Sequence, residues 1–147
     1  MFTVVAYSRH GEVMGTEALS RSGPEDLILD AGMAAVAPRF RNRHVPARMS
    51  EVLFGAVADL GCRGSTAATV TVHPYSQRMV VQGGYRETGF LAGNAGADMD
   101  YKGFEPKRRQ RGSVLTWAKD FVGGWETELH YPERHREMLE GILQNMG

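Results

Sequence analysis

The chain of 147 residues contains one cysteine, Cys62, so no disulfide can close within it and a four-thiolate zinc site cannot be built from one copy. That usage suits a reducing compartment. Nowhere do eighteen apolar residues run together, and the start Met1-Phe2-Thr3-Val4 lacks a basic stretch followed by a long apolar one. A transmembrane helix and a secretory leader are therefore not expected, and the chain reads as cytoplasmic. An excess of either charge is missing as well. Seventeen Lys plus Arg stand against seventeen Asp plus Glu, so no global field draws the protein to nucleic acid or to an anionic membrane. Any anion site must be local.

Several chemical signatures are absent. There is no Walker loop, no Gly-x-Gly-x-x-Gly after a strand, no Gly-x-Ser-x-Gly and no His-Glu-x-x-His, which sets aside the enzyme classes that depend on them. His130 and His135 lie close in sequence but straddle an expected helix start with no third ligand, so no metal site is expected. A nucleic-acid module built on 39–48 and 107–111 is disfavoured, because the net charge is zero and no aromatics interleave with the basic residues.

What is present reads as one soluble domain, β-rich first and mixed afterwards. Residues 2–7 and 13–19 are β-type runs around a polar turn, which predicts a hairpin. Residues 27–36 form a third strand whose internal Gly32 hints at a bulge or a close backbone approach. Met49, Val52, Leu53, Ala56, Val57 and Leu60 follow helical spacing, with Pro46 to start the helix and Gly61 to stop it. Residues 67–72 read as a strand buried on both faces, 75–82 as a short helix, 85–91 and 113–119 as strands, and 92–112 as a long irregular loop. Met138, Leu139, Ile142, Leu143 and Met146 stripe a last helix. The element order leaves no room for a doubly wound nucleotide fold and points to a mixed α+β sheet, with a main domain at 1–119 and a linker plus amphipathic helix at 120–147.

The most informative stretch is 36–49, where Arg39, Arg41, Arg43, His44 and Arg48 sit between a strand and a helix start with no acidic residue from Ala31 to Ser50. A helix N-terminus offers unpaired N–H groups and the positive end of a dipole, and guanidinium groups beside it add charge-assisted hydrogen bonds to phosphate. The alternative is a solvated basic turn that only links two elements.

On these residues the sequence resembles the GNAT superfamily of acyl-CoA-dependent N-acyltransferases. In that family a strand ends in Val-x-Pro, a loop reads Arg-Gly-x-Gly-x-Gly/Ala, and a helix with a Leu-rich stripe follows. Here Val36-x-Pro38 precedes Arg41, and Ala58-Asp59-Leu60-Gly61 closes the helix. A second likeness is Val72-His73-Pro74 leading through a short helix to Gly84-Tyr85-Arg86-Glu87-Thr88-Gly89-Phe90, similar to the family's Asn, short helix and Gly-Phe. The resemblance spans about 4–119. It implies an α+β fold with a mixed, mainly antiparallel sheet flanked by helices, GNAT-like and N-terminally short. It implies acetyl-CoA or another acyl-CoA as cofactor, held by Val36, Arg41, Arg43, His44, Val45, Ala47 and Arg48, and a small-molecule or protein amine as acceptor.

The departures from the family pattern are as specific. The loop glycines fall on His44 and Pro46, where a side chain crowds the phosphate approach and proline removes an amide donor. Val80 occupies the position that often holds the family's Tyr general acid. Asp30 and Glu17 are the carboxylates placed to act as base, each with the alternative of a solvent-facing strand residue. His73 stands where the family keeps an Asn, and its alternative is a cap, by itself or Ser76, for the helix at Tyr75. The family's first strand and two helices have no counterpart before Phe2, which predicts a bare sheet flank and a homodimer or larger assembly, with the last helix docked in cis or exchanged. A non-catalytic GNAT-like module that binds CoA-type ligands or a protein partner is the alternative to an acyltransferase.

Overall fold

Alternation of apolar and polar residues on both sides of a polar turn makes a hairpin: β1 (Phe2–Tyr7) pairs antiparallel with β2 (Val13–Ser20) in the computed structural model, which describes residues 1–97, 99, 111–123 and 130–146. The turn closes through the Ser8 N–H on Glu12 O at 2.8 Å, with Ser8 Oγ accepting from the His10 and Glu12 amides. Gly11, at φ 80°, supplies the left-handed residue that the turn requires. The chain divides into two compact units, residues 1–67 and 68–147.

In the first unit β2 pairs antiparallel with β3 (Ile28–Val36), and β3 pairs parallel with β4 (Gly64–Val70) over Ile28–Ala31 and Gly64–Ala67. A parallel connection needs a crossover, and α1 (Val45–Ala58) provides it. Val45, Met49, Leu53 and Val57 are its buried residues, at the spacing of a single stripe. Val45 and Met49 join Phe40 in a core against which Val4, Ala6, Met14, Val36 and Ala37 pack. Gly15 is what permits this close fit, since a Cβ there would meet Ala35 O at 2.7 Å and Met49 Cε at 3.2 Å. Gly61, at φ 72°, follows the end of α1, as the sequence predicts.

The predicted bulge in β3 is present. Thr16 pairs with Ala35 but Ala18 pairs with Gly32, so Glu17 alone faces Met33 and Ala34, with Met33 at φ 51°.

The second unit contains the end of β4, α2 (Tyr75–Gln82), β5 (Arg86–Ala95), β6 (Gly112–Asp120) and α3 (Arg136–Met146). β5 and β6 are antiparallel. On the other side of β6, the buried Trp117 donates from Nε1 to Thr69 Oγ1 at 2.7 Å and the Thr71 N–H reaches Ser113 O at 3.0 Å. α3 packs on β5 and β6 of its own unit, and Asn145 Nδ2 donates to Glu87 O at 3.0 Å. In this structure the last helix docks on the strands of its own chain. Leu139, Ile142 and Leu143 are half-buried, whereas Met138 stays exposed. The six strands follow the hydrogen-bonding order β1-β2-β3-β4-β6-β5, a mixed, mostly antiparallel α+β arrangement with three α-helices among the described residues.

Two expectations need correction. β4 covers Gly64–Val70, not 67–72, and it alternates rather than being buried on both faces, with Thr66 and Ala68 exposed. Its start is fixed by the register with Ile28–Ala31, which recruits three small residues that carry no apolar signal. β5 continues to Ala95, so residues 92–95 are strand rather than loop. Gly93, at φ 64°, sits where the register with β6 shifts, its N–H on Ser113 Oγ at 3.2 Å and its carbonyl accepting from Arg111 Nε. The glycine accommodates a bulge instead of breaking the strand. The rest of the predicted loop at 98 and 100–110, which includes the basic residues Lys107, Arg108 and Arg109, and the linker residues 124–129 lie outside the described residues.

Candidate functional site

Two features of the first unit lie at opposite ends of β3. At its C-terminal end the chain passes from half-buried Val36 through a turn of 3-10 helix at Pro38–Phe40 into the basic loop. Phe40 is buried and anchors it. The Arg39 guanidinium lies 5.0 Å from the centre of the Phe40 ring and pairs with Glu12 Oε1 at 2.9 Å, and that of Arg43 lies 5.8 Å from the same ring. Arg41 is exposed and, among the described residues, has no hydrogen-bond or ion-pair partner. With Arg48, which is also exposed and has no side-chain partner among the described residues, it is an uncommitted cation of the loop.

Asn42 and His44 both adopt left-handed backbone, at φ 60° and 56°, and His44 is the N-cap of α1 without a side-chain cap. A left-handed N-cap is the geometry that the family's missing glycine would take without strain. Of the amides the sequence offers as donors, that of Arg48 is committed to His44 O at 3.2 Å. Those of Val45 and Ala47 have no acceptor among the described residues, and Pro46 has none to give. The first turn of α1 holds no acidic residue, so its positive dipole end is not offset. The loop can therefore meet an anion with two amides, the dipole and Arg41.

Near the N-terminal end of β3, Asp30 is exposed and stands in register with Ser20 of β2 on one side and Thr66 of β4 on the other. Residues in register share a face, so the three form a row across three strands. Thr66 Oγ1 is 3.4 Å from Asp30 Oδ1. A pocket of about 250 Å³ opens here, lined by Ser20, Arg21, Ser22, Ile28, Leu29, Asp30 and Thr66. Arg21 has its guanidinium 6.0 Å from the centre of the Phe2 ring and no carboxylate partner among the described residues.

Glu17, the other carboxylate candidate, is placed quite differently. It is buried at 4% exposure, and Ser50 of α1 donates to its carboxylate, with Oγ 2.9 Å from each oxygen. Burial pushes its carboxyl above the ordinary range, and the Ser50 hydroxyl offsets part of this. Glu17 is thus under α1, while Asp30 is on the opposite face with Ser20 and Thr66. His73 belongs to the second unit. It does not end β4, which stops at Val70, but lies in the turn before α2, with its ring centre 5.6 Å from that of Tyr75. Neither it nor Ser76 caps α2, whose N-cap is Pro74. Gln77 Nε2 instead holds the turn, donating to Val70 O at 3.0 Å. Val80 is buried and carries no hydroxyl.

Sequence reasoning misses Ser20, Arg21, Ser22, Thr66 and Ser50. A Ser-Arg-Ser run at a strand end is a weak signal, and only the register reveals that it meets Asp30. Among the described residues no cluster of three His, Cys, Asp or Glu could hold a metal ion, and no helix is long and apolar enough to cross a membrane.

No protein-family model matches the sequence, and no curated protein matches it either. Solved structures do match. An acetyltransferase of Bacillus subtilis in complex with CoA superposes with a TM-score of 0.66 at 14% identity, covering 82% of this chain and 76% of that one. A GNAT superfamily phosphinothricin acetyltransferase of Sinorhizobium meliloti in complex with AcCoA gives 0.67 at 18% identity, covering 89% and 68%. A GCN5-related N-acetyltransferase of Kribbella flavida gives 0.64 at 19%, covering 81% and 67%. The fold is that of the GNAT superfamily.

Proposed function

We propose that the chain is an acyl-CoA-dependent N-acyltransferase, with the cofactor phosphates at the loop 36–48 and the acceptor amine at Asp30. The observation that carries this reading is the layout of β3. Pairing with β4 ends at Ala31 and Ala67, so Gly32–Val36 keep β2 on one side and have no registered strand on the other. An extended pantetheine arm carries amides that can hydrogen-bond to such a strand edge. That open edge runs for five residues, about 16 Å at roughly 3.3 Å per residue, and stops two residues short of Asp30, whose own edge is paired with Thr66. A thioester at the inner end of that edge points towards the strand end that carries the carboxylate.

In this reading Asp30, not the buried Glu17, takes a proton from the acceptor ammonium. The freed amine attacks the thioester carbonyl, a C–N bond forms, the nitrogen gives its second proton to water, the C–S bond breaks and the thiolate leaves. Val80 offers no proton to it, so the thiolate takes one from water. Loop affinity rests on Arg41 and the Val45 and Ala47 amides, with Arg43 held beside them by Phe40. Calorimetry with acetyl-CoA and CoA tests binding, and thiol release with an amine panel tests turnover. Asp30→Asn should lower kcat/KM by about 10²- to 10⁴-fold, the usual worth of a general base, with the acetyl-CoA affinity unchanged.

A second reading, a non-catalytic module using the same cleft, is favoured by Pro46 and the left-handed His44, which deplete the phosphate cradle. Binding without turnover of any amine would select it. The acyltransferase reading also takes the protein as cytoplasmic and self-associating. Val5 and Tyr7 lie on the face of β1 away from α1, at 40% and 61% exposure, and β1 carries no charge, so two copies can meet there without like-charge repulsion.

A further inference from the structure

We infer that Glu17 regulates the phosphate loop through its charge: the start of α1 holds the cofactor phosphates while the carboxyl is neutral, and the ionised carboxylate opposes them. The inference rests on the acyltransferase reading, which puts those phosphates at the loop, and adds the group that tunes their binding. Its basis is position. Glu17 is 4% exposed, and Ser50 Oγ lies 2.9 Å from each of its carboxylate oxygens. Ser50 is in the N-terminal half of α1, ~7.5 Å along the helix axis from Val45 at roughly 1.5 Å per residue. Val4, in register with Glu17, packs on the core of Phe40, Val45 and Met49 that anchors the loop. No other charge intervenes. Opposite Glu17 stand Val4 of β1 and Met33 and Ala34 of β3, all uncharged, while Tyr7 and Asp30 lie on the face away from α1. Arg21, further along β2, sits over the Phe2 ring, and Arg48 and Glu51 of α1 are exposed. Among the described residues no ion pair involves Glu17.

A phosphate at the start of α1 and a carboxylate beneath its second turn repel each other through protein rather than water, so salt screens them little. At roughly 12 Å and an effective dielectric of about 20, one unit charge acting on another changes an equilibrium up to roughly tenfold. Burial places the ionisation of Glu17 above the ordinary carboxylate range, so the charge under α1 changes while Arg41 and Arg43 stay cationic. The coupling is reciprocal. A bound phosphate raises the proton affinity of Glu17 by the same factor by which protonation of Glu17 raises the affinity for phosphate. Cofactor binding therefore draws a proton from the buffer onto Glu17 wherever the carboxyl is ionised in the free protein and neutral in the complex, and affinity falls as pH rises through that range.

The experiment is calorimetry of CoA binding to the full chain and to Glu17→Gln from about pH 5 to about pH 8, the span in which a carboxyl raised by burial titrates. Each pH is run in buffers of low and high protonation enthalpy. His44 and the phosphates of CoA titrate in this span as well, but they are common to both proteins and cancel in the comparison. The dissociation constant of the parent relative to that of Glu17→Gln should rise with pH by about three- to tenfold, and the parent should take up more protons on binding. Ser50→Ala removes the hydrogen bond that favours the ionised form, so its loss of affinity should come at higher pH than the parent's. A purely structural role for Glu17 moves none of these. A ratio that is flat or falls with pH, or equal proton uptake by the two proteins, overturns the inference. Should Glu17→Gln not fold, the Ser50→Ala profile decides, and one that superposes on the parent's overturns it. Should CoA bind to neither protein, the acyltransferase reading falls, and the same series with inorganic pyrophosphate tests the loop alone. A ratio rising with pH then supports the coupling, and a flat ratio or no binding overturns it.

Discussion

Replacing Glu17 by Gln removes a charge from beneath α1 while keeping the shape of the side chain and an oxygen that can accept from Ser50. The carboxyl is raised above its ordinary value of 4.5 because burial disfavours the charged form more than one serine hydroxyl restores it. Among the described residues no cation pairs with it. Since its folded-state value exceeds its unfolded one, the native protein binds more protons than the unfolded chain between the two. Its contribution is complete below about 4.5 and is lost as pH rises through the folded-state value. A tenfold difference in proton affinity between the folded and unfolded chain corresponds to about 1.4 kcal/mol. Urea unfolding at a series of pH values should therefore show Glu17→Gln gaining on the parent protein from pH 4.5 upward, until the carboxyl is fully ionised.

Ser50→Ala supplies the opposite arm. A hydrogen bond to a charged group is worth about 1.5 to 3 kcal/mol, so at a pH high enough to ionise the carboxyl the loss should lower the melting temperature by roughly 3 to 12 °C for a chain of this size. In the Glu17→Gln background the same bond is neutral and its loss costs about 0.5 to 1.5 kcal/mol. The difference between the two is the coupling that a double-mutant cycle reads. Parallel pH profiles for Glu17→Gln and the parent protein, or an equal cost of Ser50→Ala in both backgrounds, would refute the view of Glu17 as a buried carboxylate held chiefly by Ser50.

Changing Arg41 and Arg43 together to Ala should raise the CoA dissociation constant at least about tenfold, since the loop has few backbone donors left. An unchanged constant in calorimetry places the cofactor elsewhere. His44→Gly with Pro46→Gly should tighten CoA binding by restoring an amide and clearing the approach, and His44→Gly alone should stabilise the fold by up to about 1 kcal/mol by relieving its left-handed backbone. A folded double variant that binds no better shows that the lost glycines do not limit affinity. Light scattering at micromolar concentration should give a mass near twice 16.2 kDa, and Val5→Lys with Tyr7→Glu should reduce it to that of one chain; a single-chain mass for the parent protein removes the self-association proposal.

Much of the fold is legible in the sequence because its signals are local. The hairpin follows from alternation around a polar turn, α1 from apolar spacing between Pro46 and Gly61, and α3 from its stripe. The start of β4 is missed by three residues because Gly64, Ser65 and Thr66 lack apolar character and enter the strand only through pairing with Ile28–Ala31. Residues 92–95 read as loop because glycine usually punctuates, whereas Gly93 takes up a register shift inside a strand. The basic loop is legible as a cluster of cations. That Arg39 is spent on Glu12 and Phe40 while Arg41 stays uncommitted depends on tertiary contacts that no spacing encodes.

The acceptor end of the site is out of reach for a more specific reason, and the bulge at Met33 supplies it. The pairing of Gly15 with Val36 and Thr16 with Ala35, continued along the strands, would set Asp30 opposite Arg21 and on the face of Glu17, under α1. The extra residue shifts the register by one, and a shift of one turns every following side chain to the other face. Asp30 then stands opposite Ser20 and in line with Thr66, open to solvent on the face away from α1 instead of beneath a helix. Gly32 marks the neighbourhood of the bulge in the sequence, but whether the slip precedes or follows Asp30 decides between a second buried carboxylate and a base facing a substrate. One inserted residue thus separates the two candidates that the sequence could only name together, giving Glu17 to the packing of α1 and Asp30 to the chemistry proposed for the pocket.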